Sequence, residues 1–395
     1  MPRLLLVGPS WPLRGGVART TTLLARALAE AGSLAAFLVP SRQYPSWLYP
    51  GASDIDPDAC PRLPEAHRCY GVFEPWTWKE AARVGRAAAA DALVLPYWTM
   101  AWAPLELGLA RRLALPVVAI VHNPADHDAS RLARLMAGRV LGRAAAYLCH
   151  ARSVELQVLA RFPGRPTAVH PLPADPPPRA DRAAARARLG LKANDVAVLC
   201  LGLIRPYKGV EVLLEAVSSL PREVPVTLLL AGEPWGDRKA SLAERLARSD
   251  LAGRVRARLE WVPEREVGEW FAAADAAVLP YLAATGSAVA AQALGAGLPV
   301  IGTRVGGIAE VVTDEDSGLL VPPGDASALA GALRQLAAPG VLAHLAAGAA
   351  AAAGRWSWRS YATTLLELVG AVGHTTPGHH GGRAGYTDAA AGDST

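Results

Sequence analysis

Lysine is scarce in this chain, with four lysines against 36 arginines among 395 residues. Charged residues make up only 19% of the sequence, and the net charge is +5 at pH 7. Nucleic-acid-binding proteins carry a denser basic surface, so this class is disfavoured and no nucleic-acid partner is expected. The mild positive charge favours small acidic ligands or an anionic membrane surface as partners.

Cysteines are also few, and their spacing excludes two further classes of protein. The four are Cys60, Cys69, Cys149 and Cys200. They are too scattered for the disulfide framework of a small secreted domain. Cys149 and Cys200 lie in apolar runs, so we expect both to be buried thiols. The spacing of Cys60, His67 and Cys69 matches no usual zinc pattern, so we expect no metal site.

Long apolar runs and a dinucleotide fingerprint are missing as well. No run reaches the roughly 18 apolar residues that a membrane span requires, and residues 1–8 are too short for a signal peptide. We therefore expect a cytoplasmic protein that is soluble or lies on the inner face of the membrane. Gly8 and Gly15-Gly16 are too far apart for the GxGxxG pattern, which disfavours a nicotinamide dehydrogenase.

What the sequence does contain is a repeated alternation of apolar strands and amphipathic helices. This alternation predicts an α/β protein of two doubly wound, Rossmann-like domains that face a deep cleft. The proline-rich stretch His170–Pro178 marks a linker. We place the domains at 1–172 and 189–354, with the linker at 173–188. The polar, glycine-rich tail over 372–395 is expected to be disordered.

Particular strands follow from the apolar runs. In the second half we expect strands at Val196–Leu201, Val226–Ala231, Arg258–Trp261, Ala276–Leu279, Pro299–Gly302 and Gly318–Val321. In the first half, the pattern breaks down between Arg42 and Lys79, which predicts a long irregular segment. Its aromatic residues are candidate acceptor contacts or core residues, namely Tyr44, Trp47, Tyr49, Trp76 and Trp78.

One loop carries the strongest functional signal. Arg205 and Lys208 lie between the buried strand Val196–Leu201 and a helix that begins near Val210. A helix N-terminus offers free N–H groups and a positive dipole, and a guanidinium and an ammonium beside it form a diphosphate site. The alternative is a pair of solvated loop cations.

Three further loops follow predicted strands, where ligands of open α/β sheets bind. The first, Pro280–Ser287, opens a helix that contains Gln292 and forms a second anion cradle with Gly286, Ser287 and Ala288. In the second, Glu310 is placed to bind a hydroxyl pair or to act as a structural cap. In the third, His122 is a candidate for chemistry or an ordinary structural histidine.

Two features of the first half also have alternative interpretations. Gly15-Gly16 before a helix would let the backbone approach an anion or a sugar, or would form a flexible connector. The helix Arg131–Arg143 carries four arginines and would bind anionic lipid, or would simply pack its apolar side on the sheet.

Several motifs in series resemble family 4 glycosyltransferases of the GT-B fold. They are Gly202-Leu203-Ile204-Arg205-Pro206-Tyr207-Lys208-Gly209, Ala273-Ala274-Asp275, Leu279-Pro280-Tyr281, Gly297-Leu298-Pro299-Val300-Ile301, Val305-Gly306-Gly307-Ile308-Ala309-Glu310 and Gly318-Leu319-Leu320-Val321. The Gly15-Gly16 loop, His122-Asn123 and Trp356-Ser357-Trp358 fit the same family. The resemblance covers roughly residues 3–370.

The resemblance implies a transferase that uses a nucleotide-diphosphate sugar, retains the anomeric configuration and requires no metal or other cofactor. The acceptor would be a glycan, a glycolipid or a small molecule. Arg205 and Lys208 would hold the diphosphate and stabilise the leaving nucleotide. His122 would lie beside the donor sugar, and Gly16 near the phosphate and acceptor. A helix over 355–371 would cross back onto the first domain.

The chain departs from the family pattern at a usual pair of glutamates, which correspond to Ala284 and Gln292. A subset with the Ile-Arg-Pro-Tyr-Lys-Gly variant resembles this chain in lacking them. Leu203 also stands where the family carries an arginine. Two alternatives therefore stay open beside an active transferase, namely a catalytically degenerate subunit that supports a partner enzyme and a nucleotide-sugar epimerase.

Overall fold

The computed structural model describes residues 1–43, 54–56, 63, 65–124 and 131–374. The predictions for Tyr44, Trp47, Tyr49, Cys60 and the tail beyond residue 374 lie outside these residues. The described chain forms two parallel α/β sheets, each with helices on both faces. This arrangement confirms the predicted fold class of two Rossmann-like domains.

The first sheet has seven strands and the second has six, and all strand pairs are parallel. The first-sheet strands are β1 Leu4–Val7, β2 Leu34–Pro40, β3 Ala66–Tyr70, β4 Ala92–Tyr97, β5 Val117–Val121, β6 Ala146–Cys149 and β7 Thr167–Val169. The second-sheet strands are β8 Val196–Leu201, β9 Val226–Ala231, β10 Val255–Arg258, β11 Ala276–Leu279, β12 Val300–Thr303 and β13 Gly318–Val321.

Fourteen α-helices are found in the described residues. They are α1 Gly16–Glu30, α2 Trp78–Ala87, α3 Ala103–Leu113, α4 Arg131–Leu141, α5 Arg152–Arg161, α6 Arg182–Arg188, α7 Val210–Ser218, α8 Arg238–Leu246, α9 Glu264–Ala273, α10 Ala288–Gly295, α11 Gly306–Val311, α12 Ala326–Leu336, α13 Val341–Ala352 and α14 Trp358–His374. Single 3₁₀ turns occur at Met100–Trp102, Pro206–Lys208 and Ser249–Leu251.

The order of the strands in each sheet determines where a ligand site can form. The sheets run β3-β2-β1-β4-β5-β6-β7 and β10-β9-β8-β11-β12-β13. In each sheet the chain reverses its direction of winding once, between β1 and β4 and between β8 and β11. Successive helices leave such a reversal point on opposite faces, so a crevice opens at the carboxyl ends of the two central strands.

The last helix, α14, belongs to the first domain although it follows the second. Its buried Tyr361, Leu365 and Leu368 pack in one core with Leu24 and Leu28 of α1. Burying three such side chains stabilises the contact by several kcal/mol at about 1.5–3 kcal/mol each. The chain therefore crosses between the domains twice.

Several elements differ from the sequence-based expectations. β3 lies inside the segment expected to be irregular, and β7 and α13 were not expected. The strand expected at Arg258–Trp261 is instead β10, Val255–Arg258. β3 and β10 are edge strands with half-exposed side chains, so neither shows the continuous apolar run of a central strand.

The irregular connection between the domains ends where α6 begins, and α6 is fastened to the second domain. Asp275 accepts hydrogen bonds from Arg182 at 2.5 Å, from Arg186 at 3.2 Å and from the Ala197 amide at 2.7 Å. Asp275 thus joins α6, β8 and the start of β11. The irregular connection runs over 170–181.

We predict that Asp275→Asn lowers the free energy of unfolding of the second domain by about 1–3 kcal/mol, because two arginines lose their shared carboxylate. Urea unfolding followed by circular dichroism measures the loss. Asp237→Asn is the matched control, since Asp237 is exposed and its side chain caps no helix. Equal stability of the two variants would contradict this role of Asp275.

Candidate active site

The two loops that carry the predicted phosphate-binding residues lie at the reversal point of the second sheet. The loop 202–209 follows β8, and the loop 280–287 follows the neighbouring strand β11. The Leu282 amide donates a hydrogen bond to the Tyr207 carbonyl at 2.7 Å. Gly209 has a φ of +65°, and a Cβ there would lie 2.1 Å from the Pro280 carbonyl oxygen. Only glycine permits this close approach of the loops.

Lys208 lies at the centre of this arrangement. Its Nζ is 5.4 Å from the ring centroid of Tyr281, and 3.1 Å from the position that a Cβ would take at Gly202. Val289, in the first turn of α10, lies 4.0 Å from the same position. Burial lowers the pKa of the Lys208 ammonium, with the neighbouring Arg205 charge contributing in the same direction. The Lys208 ammonium and the N-terminus of α10 thus lie on either side of the same position, next to Gly202.

Arg205 lies beside Lys208 and stacks on an aromatic ring. Its guanidinium carbon is 4.1 Å from the ring centroid of Trp235, and its Nε is buried without a hydrogen-bond partner. In the described part of the chain, neither Arg205 nor Lys208 forms an ion pair with a carboxylate. Two uncompensated cations at one loop form a strong site for a multiply charged anion.

The predicted second cradle begins helix α10. The Ser287 hydroxyl accepts a hydrogen bond from the Ala290 amide at 3.1 Å and so caps the helix. The amide groups of the first turn at Ala288 and Val289 have no carbonyl one turn earlier in the helix, so they are available to a ligand. Gln292 is buried one turn beyond Ala288 on the same side of the helix.

His122 reaches this loop from the first domain, at the end of β5. Its carbonyl accepts a hydrogen bond from Thr285 Oγ1 at 2.6 Å. The ring packs edge-to-face on His150 with 4.6 Å between centroids, and its enclosed Nε2 has no hydrogen-bond partner. Burial lowers the pKa of His122 to about 4, so the ring is neutral at pH 7. A neutral imidazole can hydrogen-bond a hydroxyl without adding charge.

A small pocket continues from this point between the two domains. It is lined by His150, Leu172, Ala174, Gly286, Ser287, Ala291, Leu294, Gly307, Val311, Ala352 and Trp356. A Cβ at Gly286 would lie 3.6 Å from Cβ of His150. The loop 280–287 therefore contacts both the loop 202–209 and the histidines of the first domain.

The Gly15-Gly16 loop follows β1 in the first domain. Neither glycine has another group within 4 Å of the position of an added Cβ, so both face open space at the start of α1. The contacts of the described residues do not join them to Arg205 or Lys208. The expected position of Gly16 near the phosphate and the acceptor stays a prediction.

Polar contacts around that loop hold the domains together. Arg19 pairs with Asp175 of the connection and with Glu264 of the second domain. Asp56 accepts hydrogen bonds from Trp261 Nε1 at 3.2 Å and from the Glu264 amide at 3.1 Å. These ion pairs and hydrogen bonds anchor α1 beside the N-terminus of α9.

Glu310 is used as a cap in this structure. Its carboxylate accepts hydrogen bonds from the amides of Arg152, at 2.7 Å, and Ser153, at 3.2 Å, at the start of α5 in the first domain. These contacts match the structural alternative that the sequence left open, although the cap acts across the domain interface. Its proposed contact with hydroxyl groups stays a prediction.

Sequence reasoning missed three polar contributors to the interface and one to the phosphate loop. Arg19, Asp56 and Thr285 act through partners more than 150 positions away in the chain. Trp235 is adjacent to Arg205 only because β8 and β9 are neighbours. The sequence pattern that could have indicated a site at Trp235 was the Gly232-Glu233-Pro234 turn at the end of a predicted strand.

The lengths of the helices and the grouping of polar side chains bear on membranes and metals. Within the described ranges, no single helix is long and apolar enough to cross a membrane, whereas α12 and α13, bent by 96°, meet the length and composition limits only as a pair. Among the same residues, no three His, Cys, Asp or Glu side chains are grouped as metal ligands.

Comparisons with known proteins place the chain in a family. A family profile described as "Glycosyl transferases group 1" matches residues 195–338, the domain that contains Arg205 and Lys208. A D-inositol 3-phosphate glycosyltransferase of Streptomyces scabiei is 32% identical over 344 residues, which are 79% of this chain and 74% of that protein. The chain therefore belongs to the group 1 glycosyltransferases, a family of transferase enzymes.

Another relative matches over a shorter part. A D-inositol 3-phosphate glycosyltransferase of Streptomyces bingchenggensis is 36% identical over 203 residues, which are 48% of this chain and 44% of that protein. The matched part of the chain thus covers less than half the length of this curated relative.

Solved structures share the fold at low identity. Sucrose-phosphate synthase from Thermosynechococcus elongatus is 21% identical with a TM-score of 0.75, over 95% of this chain and all of that one. Anabaena HepE in complex with UDP-glucose is 18% identical with a TM-score of 0.73, over 94% of this chain and all of that one. These neighbours confirm the GT-B fold.

We predict that acid lowers the free energy of unfolding through buried His150, whose pKa burial holds well below 6.5. As pH falls below 6.5, the unfolded chain takes up a proton that the folded protein does not. Stability attributable to this group is therefore present above pH 6.5 and falls by about 1.4 kcal/mol per pH unit below it.

Melting temperatures between pH 7 and pH 5 measure this loss. In His150→Gln, which retains a hydrogen-bonding group toward Tyr361, the melting temperature should fall less with acid than in the wild type. His67→Gln, at an exposed position on an edge strand, is the control and should follow the wild type. Parallel curves for all three proteins would refute the role of His150.

Proposed function

We propose that this protein is a retaining glycosyltransferase that moves a sugar from a nucleotide-diphosphate sugar to an acceptor. The observation that carries the proposal is the pair of uncompensated cations, Arg205 and Lys208, beside the N-terminus of α10. When the glycosidic bond to the donor breaks, negative charge develops on the departing diphosphate. Preorganised positive groups at that position lower the barrier.

Each group has a distinct role in this proposal. Arg205 and Lys208 hold the diphosphate, and the amides at Gly286, Ser287 and Ala288 bind its remaining oxygens. Neutral His122 lies on the opposite side of the loop 280–287 and contacts a hydroxyl of the donor sugar. Gln292 replaces the usual glutamate as a hydrogen-bonding partner for the ribose.

The cations also support a reaction that requires no metal. A divalent metal ion commonly neutralises a leaving diphosphate in other enzymes. Here, a guanidinium and an ammonium supply two positive charges at the same loop. We propose that they take the place of the metal, so nucleotide binding should persist when the metal is chelated.

Two other functions follow from the substitutions at the glutamate pair. Ala284 provides no carboxylate for the donor sugar, which favours a degenerate subunit that binds a nucleotide sugar and supports a partner enzyme. A nucleotide-sugar epimerase is the second alternative. It would convert the donor without any acceptor, whereas a transferase and a degenerate subunit would leave the donor sugar unchanged under that condition.

We predict that one nucleoside diphosphate among UDP, GDP, ADP and TDP raises the melting temperature, with or without EDTA. At a concentration 100-fold above the Kd, the stabilisation is about 2.7 kcal/mol. Arg205→Ala and Lys208→Ala should each weaken this shift and lower turnover at least about 10²-fold, the scale of losing one preorganised donor.

Matched controls are Arg222→Ala and Lys192→Ala, which remove exposed cations of the same domain. Both should behave as the wild type. A wild-type shift without turnover on any donor and acceptor would favour the degenerate subunit. The absence of a shift with all four nucleotides would contradict the donor site itself.

The acceptor is proposed from the relatives and the fold. Curated relatives are named D-inositol 3-phosphate glycosyltransferases, so D-inositol 3-phosphate is the first small molecule to test. Glycan and glycolipid acceptors are the other two classes. The Trp76 side chain is exposed on the first domain and remains a candidate acceptor contact, whereas Trp78 is buried in the core.

Helix α4 supports a contact with an anionic membrane at the cytoplasmic surface. Its outer face exposes Leu132 by 59% and Leu135 by 48%, and four arginines surround them. The exposed arginines are Arg131, Arg134, Arg139 and Arg143, and residues 131–143 contain no acidic residue. Exposed leucines among arginines suit a lipid surface, where apolar groups insert and guanidinium groups pair with head groups.

We predict that the protein binds vesicles containing phosphatidylglycerol more tightly than vesicles of phosphatidylcholine alone. The double variant Arg134→Glu/Arg139→Glu should weaken this binding at least about tenfold, because each arginine near an anionic surface contributes about 1 kcal/mol. Vesicle co-sedimentation measures the change.

Arg222→Glu/Arg334→Glu alters the net charge equally at exposed positions of the second domain and serves as the control. It should retain most of the binding. Equal losses in both double variants would mean that net charge alone drives the interaction, and no binding by the wild type would refute the contact.

A further inference from the structure

Trp235 is the residue against which Arg205 stacks, and it lies in a loop that no motif of the sequence singled out. The guanidinium carbon is 4.1 Å from the ring centroid. This is the shortest such distance among the arginine–aromatic contacts of the described residues, which otherwise range from 4.9 to 5.9 Å. A guanidinium at this distance from an indole face is attracted by the ring quadrupole.

Backbone contacts join the loop that carries Trp235 to the loop that carries Arg205. Beyond the ends of β8 and β9, the Ile204 amide donates to the Glu233 carbonyl and the Trp235 amide donates to the Ile204 carbonyl, both at 2.9 Å. Gly232 has a φ of +150°, and a Cβ there would lie 2.1 Å from the Gly202 carbonyl oxygen. The two loops are therefore joined from Gly202 to Trp235, and the backbone that carries the indole is held against the backbone that carries Arg205.

The type of partner matters for a phosphate site. A carboxylate would also orient Arg205, but it would neutralise the charge that must bind the diphosphate. An indole ring holds the guanidinium plane without cancelling its charge, and leaves the N–H edges available to phosphate oxygens. Within the described chain, Arg205 has no carboxylate partner, and its Nε is enclosed and without a hydrogen bond.

We propose that Trp235 is a positioning residue that holds Arg205 in the orientation required to bind the diphosphate. The role in ligand binding depends on the proposed donor site, whereas the stacking itself does not. Trp235→Leu removes the ring face, and Trp235→Phe restores an aromatic face of smaller area.

The first experiment needs no ligand. The Arg205 Nε–H resonance is identified in the NMR spectrum by its loss in Arg205→Lys. A ring current displaces the resonance of a group held over an indole, so Trp235→Leu should return it toward the position of an unstacked arginine. Trp235→Phe should retain part of the displacement. Phe162→Leu removes a comparable contact with Arg161 and Arg165 in the first domain, and should leave the Arg205 signal unchanged.

The second experiment measures the affinity of UDP, GDP, ADP and TDP by calorimetry. For the nucleotide that binds, Trp235→Leu should weaken affinity about tenfold, within the range of a desolvated cation–π contact. Trp235→Phe should recover most of the affinity. In an Arg205→Ala background, Trp235→Leu should cause no further loss, because its effect acts through Arg205.

The two experiments separate failure of the positioning role from failure of the donor site. An Arg205 resonance that is unchanged in Trp235→Leu would overturn the proposal, as would an undiminished affinity loss in the Arg205→Ala background. If the wild type binds none of the four nucleotides, the donor site is refuted. In that case a change of the resonance would establish the stacking alone, and the positioning role for diphosphate would be overturned.

Discussion

Close approach of backbone at the carboxyl end of the second sheet is the constraint on which this site depends. The loop after β8 touches the loop after β11 through the Tyr207 carbonyl and the Leu282 amide. This contact requires glycine at position 209, where a side chain would collide with the Pro280 carbonyl. Because the loops meet, Arg205 and Lys208 lie beside the N-terminus of α10 rather than in separate solvent-exposed turns.

The loop 280–287 and helix α11 both contact the first domain, so the candidate donor site and the domain interface share residues. Thr285 bonds the His122 carbonyl at one side, and Glu310 caps α5 at another. Arg19 and Asp56 add contacts beside the Gly15-Gly16 loop. A rotation of the domains must break these polar contacts while the cores of the two sheets stay intact.

Sequence patterns predicted the elements whose signal is local. β8 is a continuous apolar run and β9 is interrupted only by the buried Thr227, and the observed bounds of both strands equal the expected ones. β3 and β10 are edge strands with mixed side chains, so their sequences resemble loops. Helix α13 is rich in alanine with few large apolar residues, and lacks a clear amphipathic stripe. Bounds were predictable where burial on both faces requires apolar residues, and not where one side faces solvent.

The site shows the same division between local and long-range information. Arg205 and Lys208 could be proposed as site residues because their short motif lies between a buried strand and a helix. Trp235 and Thr285 were not, because each acts on a residue brought near by strand order or by domain packing. The uncompensated charge of Arg205 depends on that long-range neighbour, since an indole leaves the guanidinium charge available. The chemical character of the loop 202–209 is thus set partly by Trp235, a residue of the loop that follows β9.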